Sequence, residues 1–244
     1  FDYYNKLEGG NYFSKIEWVE CDVLDLVRLE EVMDGCDLVY HCAALVSFQK
    51  KDFFKMMKIN RHGTANIVNL ALDLKVRKLC FVSSTAAVSI DPLIVFLPLV
   101  EKNKWIQTPE TSGYAISKYS SEKEVWRGIE EGLDAVIINP SMILGAGNWN
   151  ESSLTILRTI ASEFRFYTNG ANAFVDARDV VAGMVQLMNS DIKNERFLCT
   201  GQNVAFRTLF TLAATQMRVK PPTIYAGRFL SGLARRFDFV LSLF

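Results

Sequence analysis

The chain has 244 residues, half of them apolar, and its 27 basic and 27 acidic side chains cancel to a formal net charge of zero. This length suits one large domain, or a core domain with a smaller lobe. Balanced charge without a basic block does not indicate a nucleic-acid partner, and no apolar run is long enough to span a bilayer. Five cysteines without a CxxC pair and two histidines predict reduced thiols and no metal site, as in a cytoplasmic protein; no signal peptide is predicted.

Short apolar strands alternate with helices along the chain. Strands are predicted over 15–21, 37–42, 78–82, 135–138 and 196–200. Helices are predicted over 25–33, 51–74, 113–131, 152–164, 180–188 and 208–217, followed by an amphipathic tail over 227–244. Asp25 and Asp179 are predicted N-caps, and Gly35 is the predicted stop of the first helix. This alternation predicts the α/β class, with right-handed βαβ units and a parallel sheet covered on both faces.

Small and polar residues follow several of these strands. In open parallel sheets, ligands bind beyond the carboxyl ends of the strands. The residues that fall there are Asp22, Ala43, Ala44, Ser83, Ser84, Asn139 and Pro140. Their convergence predicts one shared site at that edge of the sheet.

An apolar run over 93–100 interrupts what is otherwise a loop. It is too short to cross a membrane. Two interpretations remain open: a lid over a substrate pocket, or a loop packed against the core.

Tyr114 and Lys118 are four residues apart on a predicted helix, so both side chains can face one site. A phenol with an unperturbed pKa of about 10 is a poor base at neutral pH, but a nearby cation favours the phenolate. Tyr119 and Lys123 have the same spacing and point to a different side of the helix. Spacing alone does not decide between the two pairs, and an ordinary solvated helix face explains either.

The order of these motifs resembles the extended short-chain dehydrogenase/reductase family, the NAD-dependent epimerase/dehydratase group. The chain is most similar to its 3β-hydroxysteroid dehydrogenase and dihydroflavonol reductase branch. The residues that carry the resemblance are Cys21-Asp22-Val23, His41-Cys42-Ala43-Ala44, Asn60 with Gly63-Thr64, Phe81-Val82-Ser83-Ser84, Tyr114 to Lys118, Asn139-Pro140, and Phe174-Val175-Asp176 with Asp179.

The resemblance implies that Tyr114 is the general acid/base, that Lys118 lowers its pKa and holds the nicotinamide ribose, and that Ser84 orients the substrate oxygen. Phe81 aligns with an aromatic residue of the family pattern, which selects Ser84 over Ser83 and Thr85. Together the three are the implied catalytic residues.

The resemblance also implies a bound NAD or NADP. Asp22 would accept from the adenine amine beside the backbone of Val23, Ala43 and Ala44 would let the chain pass close to the cofactor, and Pro140 would shape the nicotinamide wall. For Asn60, a cofactor neighbour and a buried structural amide are equal alternatives, and Asp179 is better explained as a helix cap. The full implied cofactor set is Asp22, Val23, Cys42, Ala43, Ala44, Asn60, Ser83, Tyr114, Lys118 and Pro140.

A Rossmann-like doubly wound fold follows from the resemblance, lacking the first strand–glycine loop–helix unit that would hold the pyrophosphate. The chain is therefore interpreted as N-terminally truncated, with weak or no dinucleotide binding by itself and no residues that tell NAD from NADP. The strand 15–21 would then slide against a new neighbour or hang loose. Residues 1–140 and 174–200 form the predicted core, and 141–173 and 201–244 the predicted substrate lobe.

Three functions remain open. The first is an oxidoreductase acting on a hydroxyl or carbonyl group of a small, apolar molecule. The second is a sugar-nucleotide epimerase or dehydratase with the same triad, and the third is a non-catalytic dinucleotide-binding protein. A homodimer formed through the helices 51–74 and 113–131 is the expected assembly.

Overall fold

The computed structural model describes residues 12–88, 98–150 and 152–227, and the structural statements below concern those residues. Most of the apolar run 93–100 and nearly all of the tail 227–244 lie outside the described residues. No described helix is long and apolar enough to cross a membrane. The described residues also contain no cluster of histidine, cysteine and acidic side chains that could hold a metal ion.

The main sheet has four parallel strands in the order β1-β2-β3-β7. They are β1 Leu38–His41, β2 Lys78–Val82, β3 Ala135–Pro140 and β7 Glu195–Cys199. All four were predicted within two residues at each end, which confirms the α/β class and the parallel sheet.

The predicted strand 15–21 is wrong. A 3₁₀ turn covers Tyr12–Lys15, and residues 16–21 belong to no strand of the described chain. Trp18 in this segment is 65% exposed. The backbone of a strand needs a partner strand, and the alternating pattern of a sequence cannot supply one. The segment therefore does not slide into the described sheet as a strand, and Cys21 at its end packs against the core.

The two faces of the main sheet carry separate cores. Leu79, Phe81, Ala135 and Ile137 point to one face, while Cys80, Val136 and Ile138 point to the other, because successive side chains of a strand alternate. The first face is covered by α1 Leu26–Met33, α3 Gly63–Asp73 and α4 Gly113–Glu130, and the second by α6 Ala177–Met188. This is the doubly covered arrangement that the sequence predicted.

The long helical region between β1 and β2 is not uniform. It begins with a 3₁₀ turn, Lys50–Asp52, and continues as α2, Phe53–Met56. A π-helical turn, Met57–His62, leads into α3. The predicted helix 51–74 is thus confirmed in extent, but its backbone pattern changes at the π turn.

Two of the predicted helix ends are confirmed and one is corrected. The carboxylate of Asp25 accepts from the backbone N–H of Arg28 as an N-cap, and Gly35 follows the helix with a φ of +74°. The predicted cap Asp179 lies inside α6 instead, and Asp176 is the N-cap, accepting from Arg178 N–H at 2.8 Å. Both aspartates fit the capping pattern, and the helix begins at the earlier one.

The remaining elements form two small sheets and two helices. In one sheet β6 Ala171–Asp176 lies between β4 Met142–Leu144 and β8 Gln202–Ala205, and in the other β5 Phe166–Tyr167 pairs with β9 Ile224–Tyr225. The helices are α5 Thr155–Ala161 and α7 Phe206–Met217. None of these short strands was predicted. The division into a cofactor core and a substrate lobe stays a prediction.

Candidate active site

The carboxyl ends of β1, β2 and β3 lie side by side. His41 is paired with Phe81, and Val82 with Ile138, so the residues after each strand emerge at one edge. At that edge the chain continues into Cys42, Ala43 and Ala44, all exposed, and into Ser83 and Ser84 after β2. This edge is the place where the sequence predicted a shared site.

Helix α4 carries Tyr114 to this edge. Ser112 caps the helix by accepting from Ala115 N–H at 3.1 Å, which places Tyr114 in the first turn. The side chain of Ser84 is the hydrogen-bonding neighbour that lowers the pKa of the phenol, and its oxygen accepts from Ala86 N–H at 3.1 Å. The hydroxyl groups that the family resemblance pairs in catalysis are therefore neighbours at this edge.

Burial raises the pKa of Tyr114, and the hydrogen bond with Ser84 lowers it by a smaller amount. The net direction is upward and Lys118 is not among its causes, so the expectation that Lys118 lowers this pKa stays a prediction. A partly buried phenol loses more from desolvation of its anion than this single hydrogen bond returns.

Lys118 follows one turn after Tyr114 and is 2% exposed. Its ammonium donates to the carbonyl of Val82 at 2.7 Å and lies 4.6 Å from the centre of the Phe81 ring. Burial lowers the pKa of Lys118 to about 8, while the neighbouring Glu122 and Cys42 raise it. An ammonium has three N–H donors, and Val82 uses one, so the others can serve a bound hydroxyl group.

The alternative pair, Tyr119 and Lys123, is engaged elsewhere. The ring of Tyr119 is stacked on the indole of Trp105, with centres 4.2 Å apart and planes 5° from parallel. The ammonium of Lys123 lies 6.0 Å from the centre of the same ring. The structure thus separates the two pairs: Tyr119 stacks on Trp105, whereas Tyr114 lies beside Ser84.

Ser83 and Ser84 point in different directions. The hydroxyl of Ser83 donates to the buried carboxylate of Glu122 at 2.8 Å, inside the protein. Nδ2 of Asn139 donates to that carboxylate and to the backbone carbonyl of Ser84, both at 2.9 Å. Ser83, expected beside the cofactor, therefore binds a buried carboxylate in the interior, whereas Ser84 faces Tyr114.

Asn60 is a buried structural amide in this arrangement. Its side chain accepts from Leu45 N–H at 2.7 Å, donates to the Leu45 carbonyl at 2.9 Å and donates to Ser117 Oγ at 3.0 Å. It ties the loop after β1 to helix α4. Of the two alternatives left open by the sequence, the contacts support the structural one.

His41, which sequence reasoning gave no role of its own, is buried under the same edge. The single proton of the Thr64 hydroxyl goes to the carbonyl of Asn60, so Thr64 Oγ1 accepts from His41 Nε2 at 2.9 Å. Burial, and then the nearby charge of Lys118, lower the pKa of His41 to about 3. His41 is therefore a neutral imidazole with its proton on Nε2.

Asp22 and Val23 lie outside this cluster of contacts. The carboxylate of Asp22 accepts from Leu24 N–H at 2.9 Å, and the carbonyl of Val23 accepts from Nδ2 of Asn66 at 2.9 Å. Val23 also packs on Gly63, where an added Cβ would come within 2.6 Å of its side chain. Gly63 therefore permits this close packing, which anchors the segment before α1 to α3.

Two buried polar atoms at the end of β3 have no hydrogen-bond partner among the described residues: Oδ1 of Asn139 and Oγ of Ser141. They flank Pro140, the predicted nicotinamide wall. Buried polar atoms normally have partners, so these two have capacity for a ligand that carries both a donor and an acceptor. The carboxamide of a nicotinamide carries both, and the residues present fit that end of NAD or NADP. Ser141 was not predicted; its position after Asn-Pro was the one available signal.

The comparison with known proteins agrees with the fold and the motifs. The chain belongs to the NAD dependent epimerase/dehydratase family, whose model matches residues 4–199. This confirms the resemblance to the extended short-chain dehydrogenases/reductases.

Relatives by sequence include several reductases. Cinnamoyl-CoA reductase 1 of Petunia hybrida is 30% identical over 203 residues, which are 80% of this chain and 59% of the relative. Sterol demethylase protein B of Methylococcus capsulatus is 30% identical over 87% of this chain and 65% of its own length. A putative dihydroflavonol 4-reductase of Synechocystis is 26% identical over 82% and 59%. The chain thus spans about two thirds or less of the length of these curated relatives.

Solved structures share the fold. The gox2253 protein superposes with a TM-score of 0.75 at 27% identity, covering 89% of this chain and 69% of that one. DesIV, a dTDP-glucose 4,6-dehydratase from Streptomyces venezuelae solved with NAD, gives a TM-score of 0.74 at 17% identity, over 88% and 67%. RMD from Pseudomonas aeruginosa, solved with NADPH, gives 0.69 at 22% identity, over 85% and 75%. They confirm a Rossmann-like fold.

Proposed function

We propose that the protein is an NAD(P)-dependent oxidoreductase that transfers hydride to or from a hydroxyl or carbonyl group of a small, apolar substrate. The observation that carries this proposal is that Tyr114 lies beside the side chain of Ser84, one helical turn from the buried ammonium of Lys118. Because a non-catalytic dinucleotide sensor needs no acid/base group, this arrangement favours an enzyme.

Each of the three side chains has a distinct task in this proposal. A bound nicotinamide supplies or accepts the hydride. Tyr114 gives a proton to the substrate oxygen during reduction and takes it back during oxidation. Ser84 donates a hydrogen bond to the same oxygen as negative charge develops there. Lys118 uses its remaining N–H groups to hold a cofactor hydroxyl and places a positive charge near the phenol.

The raised pKa of Tyr114 suits the direction of carbonyl reduction. A phenol with a raised pKa stays protonated at neutral pH and can act as the acid for a developing alkoxide. Oxidation of an alcohol instead needs the phenolate, which a bound positively charged nicotinamide ring would favour. We therefore infer that Tyr114 is in the protonation state needed for carbonyl reduction at neutral pH.

An exposed aromatic ring beside the phenol supports an apolar substrate. Phe48 is 78% exposed, and its ring centre lies 5.9 Å from that of Tyr114. Exposing a large apolar side chain next to a polar catalytic group is unfavourable unless a ligand covers it. Phe48 thus offers an apolar surface where the substrate would lie. The reductase relatives are consistent with such a substrate.

The test is a turnover screen with the full-length protein. NADH and NADPH oxidation would be followed with panels of apolar aldehydes and ketones, and nucleotide sugars would be offered in parallel. The Tyr114→Phe variant serves as the blank for each substrate. We expect reduction of at least one apolar carbonyl compound. Turnover confined to nucleotide sugars would replace this proposal with a sugar-nucleotide epimerase or dehydratase.

We also infer a homodimer in the cytoplasm. Phe54 in α2 is 83% exposed, and the region it belongs to packs beside α4, which supports an interface formed by these helices. The five cysteines are free thiols, as expected for a reducing compartment. Light scattering on the purified protein tests the dimer. A monomer at micromolar concentration, or a Phe54→Asp variant with the same mass as the wild type, would contradict it.

A further inference from the structure

Glu122 is an acidic residue that has no role in the proposed reaction. It lies at the centre of a hydrogen-bond network next to the candidate catalytic residues. It is 1% exposed, and four side chains donate to its carboxylate. Oε2 accepts from Ser83 and Asn139, and Oε1 accepts from Arg196 at 2.8 Å and from Trp126 at 3.3 Å. Burying a carboxylate is costly, so its environment must be this complete for it to remain charged.

These contacts join four parts of the protein at one point. Ser83 follows β2, Asn139 lies in β3, Arg196 lies in β7 and Trp126 belongs to the same helix as Glu122. Arg196 also donates to the carbonyls of Glu101 and Asn103, at 2.7 and 2.9 Å, so the loop before α4 is held as well. The carboxylate therefore sets the position of α4 against the sheet.

The network reaches both sides of the candidate catalytic residues. Asn139 connects Glu122 to the backbone carbonyl of Ser84, and Lys118 holds the carbonyl of Val82. The β2 end is thus fixed at three successive residues, by Lys118 at Val82, by Glu122 at Ser83 and by Asn139 at Ser84. Small errors in the position of a hydrogen-bonding hydroxyl weaken catalysis strongly, so this fixation matters for the contact between Ser84 and Tyr114.

Tyr114, Lys118 and Glu122 also follow one another at intervals of four residues, on one face of α4. The charged and titratable groups that face Lys118 are Glu122 on its own helix, His41 on β1 and Cys42 in the loop after it. His41 is neutral, and Arg196 is bound to the side of Glu122 formed by Oε1. Of these groups, Glu122 is the acidic one, and it lies one helical turn after Lys118.

We propose that Glu122 is a positioning residue of the active site, which fixes the Val82–Ser84 strand end through Ser83 and Asn139 and places its carboxylate one helical turn from the Lys118 ammonium. The catalytic meaning of this role rests on the proposed function. The fixing of the strand end and the effect of the Glu122 charge on Lys118 do not rest on it, and both can be measured without substrate or cofactor.

The decisive measurement is the titration of Lys118 by NMR, using protein labelled with ¹³C-lysine and a Lys118→Met variant to assign its signal. The variant Glu122→Gln keeps the size of the side chain and removes its charge. We expect its Lys118 midpoint to fall below that of the wild type, because the charge that favours the ammonium is gone. The control is Glu130→Gln, the same change at an exposed position of the same helix, which should leave the midpoint unchanged.

Two results would overturn the proposal. An unchanged midpoint in Glu122→Gln would show that the carboxylate does not support the ammonium. A midpoint raised to that of an exposed lysine would show that Lys118 has become exposed to solvent, and that the role of Glu122 is only to maintain the packing around it. If Glu122→Gln does not fold, because Arg196 is left buried without its partner, the double variant Glu122→Gln with Arg196→Gln removes that unpaired charge. Its Lys118 midpoint is then compared with that of Arg196→Gln alone, and the same outcomes apply to the difference.

A second readout connects the proposal to catalysis. In the full-length enzyme, the alkaline decline of kcat/KM should move to lower pH in Glu122→Gln, in parallel with the Lys118 midpoint. An unchanged alkaline limb in an active variant would count against the proposal. If the wild type showed no turnover with any substrate, the proposed function would fail, while the NMR titration would still decide the role of Glu122.

Discussion

The indole of Trp105 lies flat on the ring of Tyr119, 4.2 Å from centre to centre. This stack occupies the tyrosine that has the same spacing to a lysine as Tyr114 has. Only the three-dimensional arrangement separates these two pairs. The difference is directly testable, because the two tyrosines allow the same substitution on the same helix.

We expect Tyr114→Phe to reduce kcat by roughly 100- to 10,000-fold, the usual contribution of a general acid/base. The variant loses the proton donor and keeps the ring. Tyr119→Phe keeps the ring that stacks on Trp105 and should retain activity within a few fold. Steady-state kinetics of both variants in the full-length protein provide the measurement. Substantial turnover by Tyr114→Phe, or its loss in Tyr119→Phe, would contradict the assignment.

The pKa of Lys118, lowered to about 8, predicts an alkaline limit of activity. Below that pH the charged ammonium can hold a cofactor hydroxyl and support the phenol. Above it the side chain is a neutral amine and can no longer supply a positive charge. We expect kcat/KM to fall as the pH rises through about 8, which a pH profile at constant ionic strength will show. Activity that stays constant to pH 10 would exclude a role for the ammonium.

The lowered pKa of Lys118 also makes stability depend on pH, but stability should rise with pH where activity falls. The pKa of Lys118 is lower in the folded than in the unfolded protein, so between about 8 and 10.5 the unfolded state binds more protons. This residue therefore makes unfolding less favourable as the pH rises through that interval. Urea unfolding of the wild type and of Lys118→Met at pH 8 and pH 10 isolates the effect as a difference in slope.

His41 predicts loss of stability in acid. Its pKa is about 3 in the folded protein and near 6.5 when unfolded, so the unfolded state binds an extra proton between these values. The contribution of His41 is complete above pH 6.5 and is lost as the pH falls toward 3, at up to about 1.4 kcal/mol per pH unit. Replacing it by glutamine should flatten the dependence of the unfolding free energy on pH. Since both proteins share all other groups, equal slopes would refute the prediction.

Two helical glycines provide a matched pair for packing. A Cβ on Gly128 would lie 2.4 Å from Cγ1 of the fully buried Val68, whereas a Cβ on Gly183 would meet its nearest neighbour, on Ile138, at 3.4 Å. We expect Gly128→Ala to destabilise the protein by about 1–3 kcal/mol through overpacking. Gly183→Ala should be neutral or stabilise by up to about 1 kcal/mol, because alanine is the better helix former.

Denaturant unfolding measures both glycine variants. The double variant Gly128→Ala with Val68→Ala makes room for the new methyl group, and it should lose less stability than the sum of the two single changes. Additive losses would show that the contact between α3 and α4 is not the cause.

Much of this fold could be predicted from the sequence because it depends on local patterns. The strands β1, β2 and β3 are apolar runs of the right length, and Asp25 with Gly35 marks the limits of α1 by capping and by a left-handed turn. The strand expected over 15–21 failed for a nonlocal reason, since pairing depends on a neighbour. Asp179 failed for a local one, since Asp176 satisfies the same rule three residues earlier.

The sequence predicts which residues belong to the candidate site, but it does not predict which side chains they contact. Tyr114 and Lys118 follow from their spacing and from the family resemblance. That Ser83 turns inward to Glu122, or that Arg196 reaches the same carboxylate from β7, depends on residues that lie 39 and 74 positions away in the chain. Such contacts depend on tertiary packing, and no periodicity of the sequence signals them.

The π-helical turn Met57–His62 adds one residue to a helix that would otherwise keep a constant phase. Removing any one residue from this turn would give a more regular helix, yet it would rotate the preceding turn by about 100° relative to Gly63 and the residues after it. Phe53, which lies against Gly113 at the start of α4, would swing out of that contact. A shorter and more regular helix would therefore support Tyr114 less well. The irregular π turn keeps Phe53 in register with the start of α4.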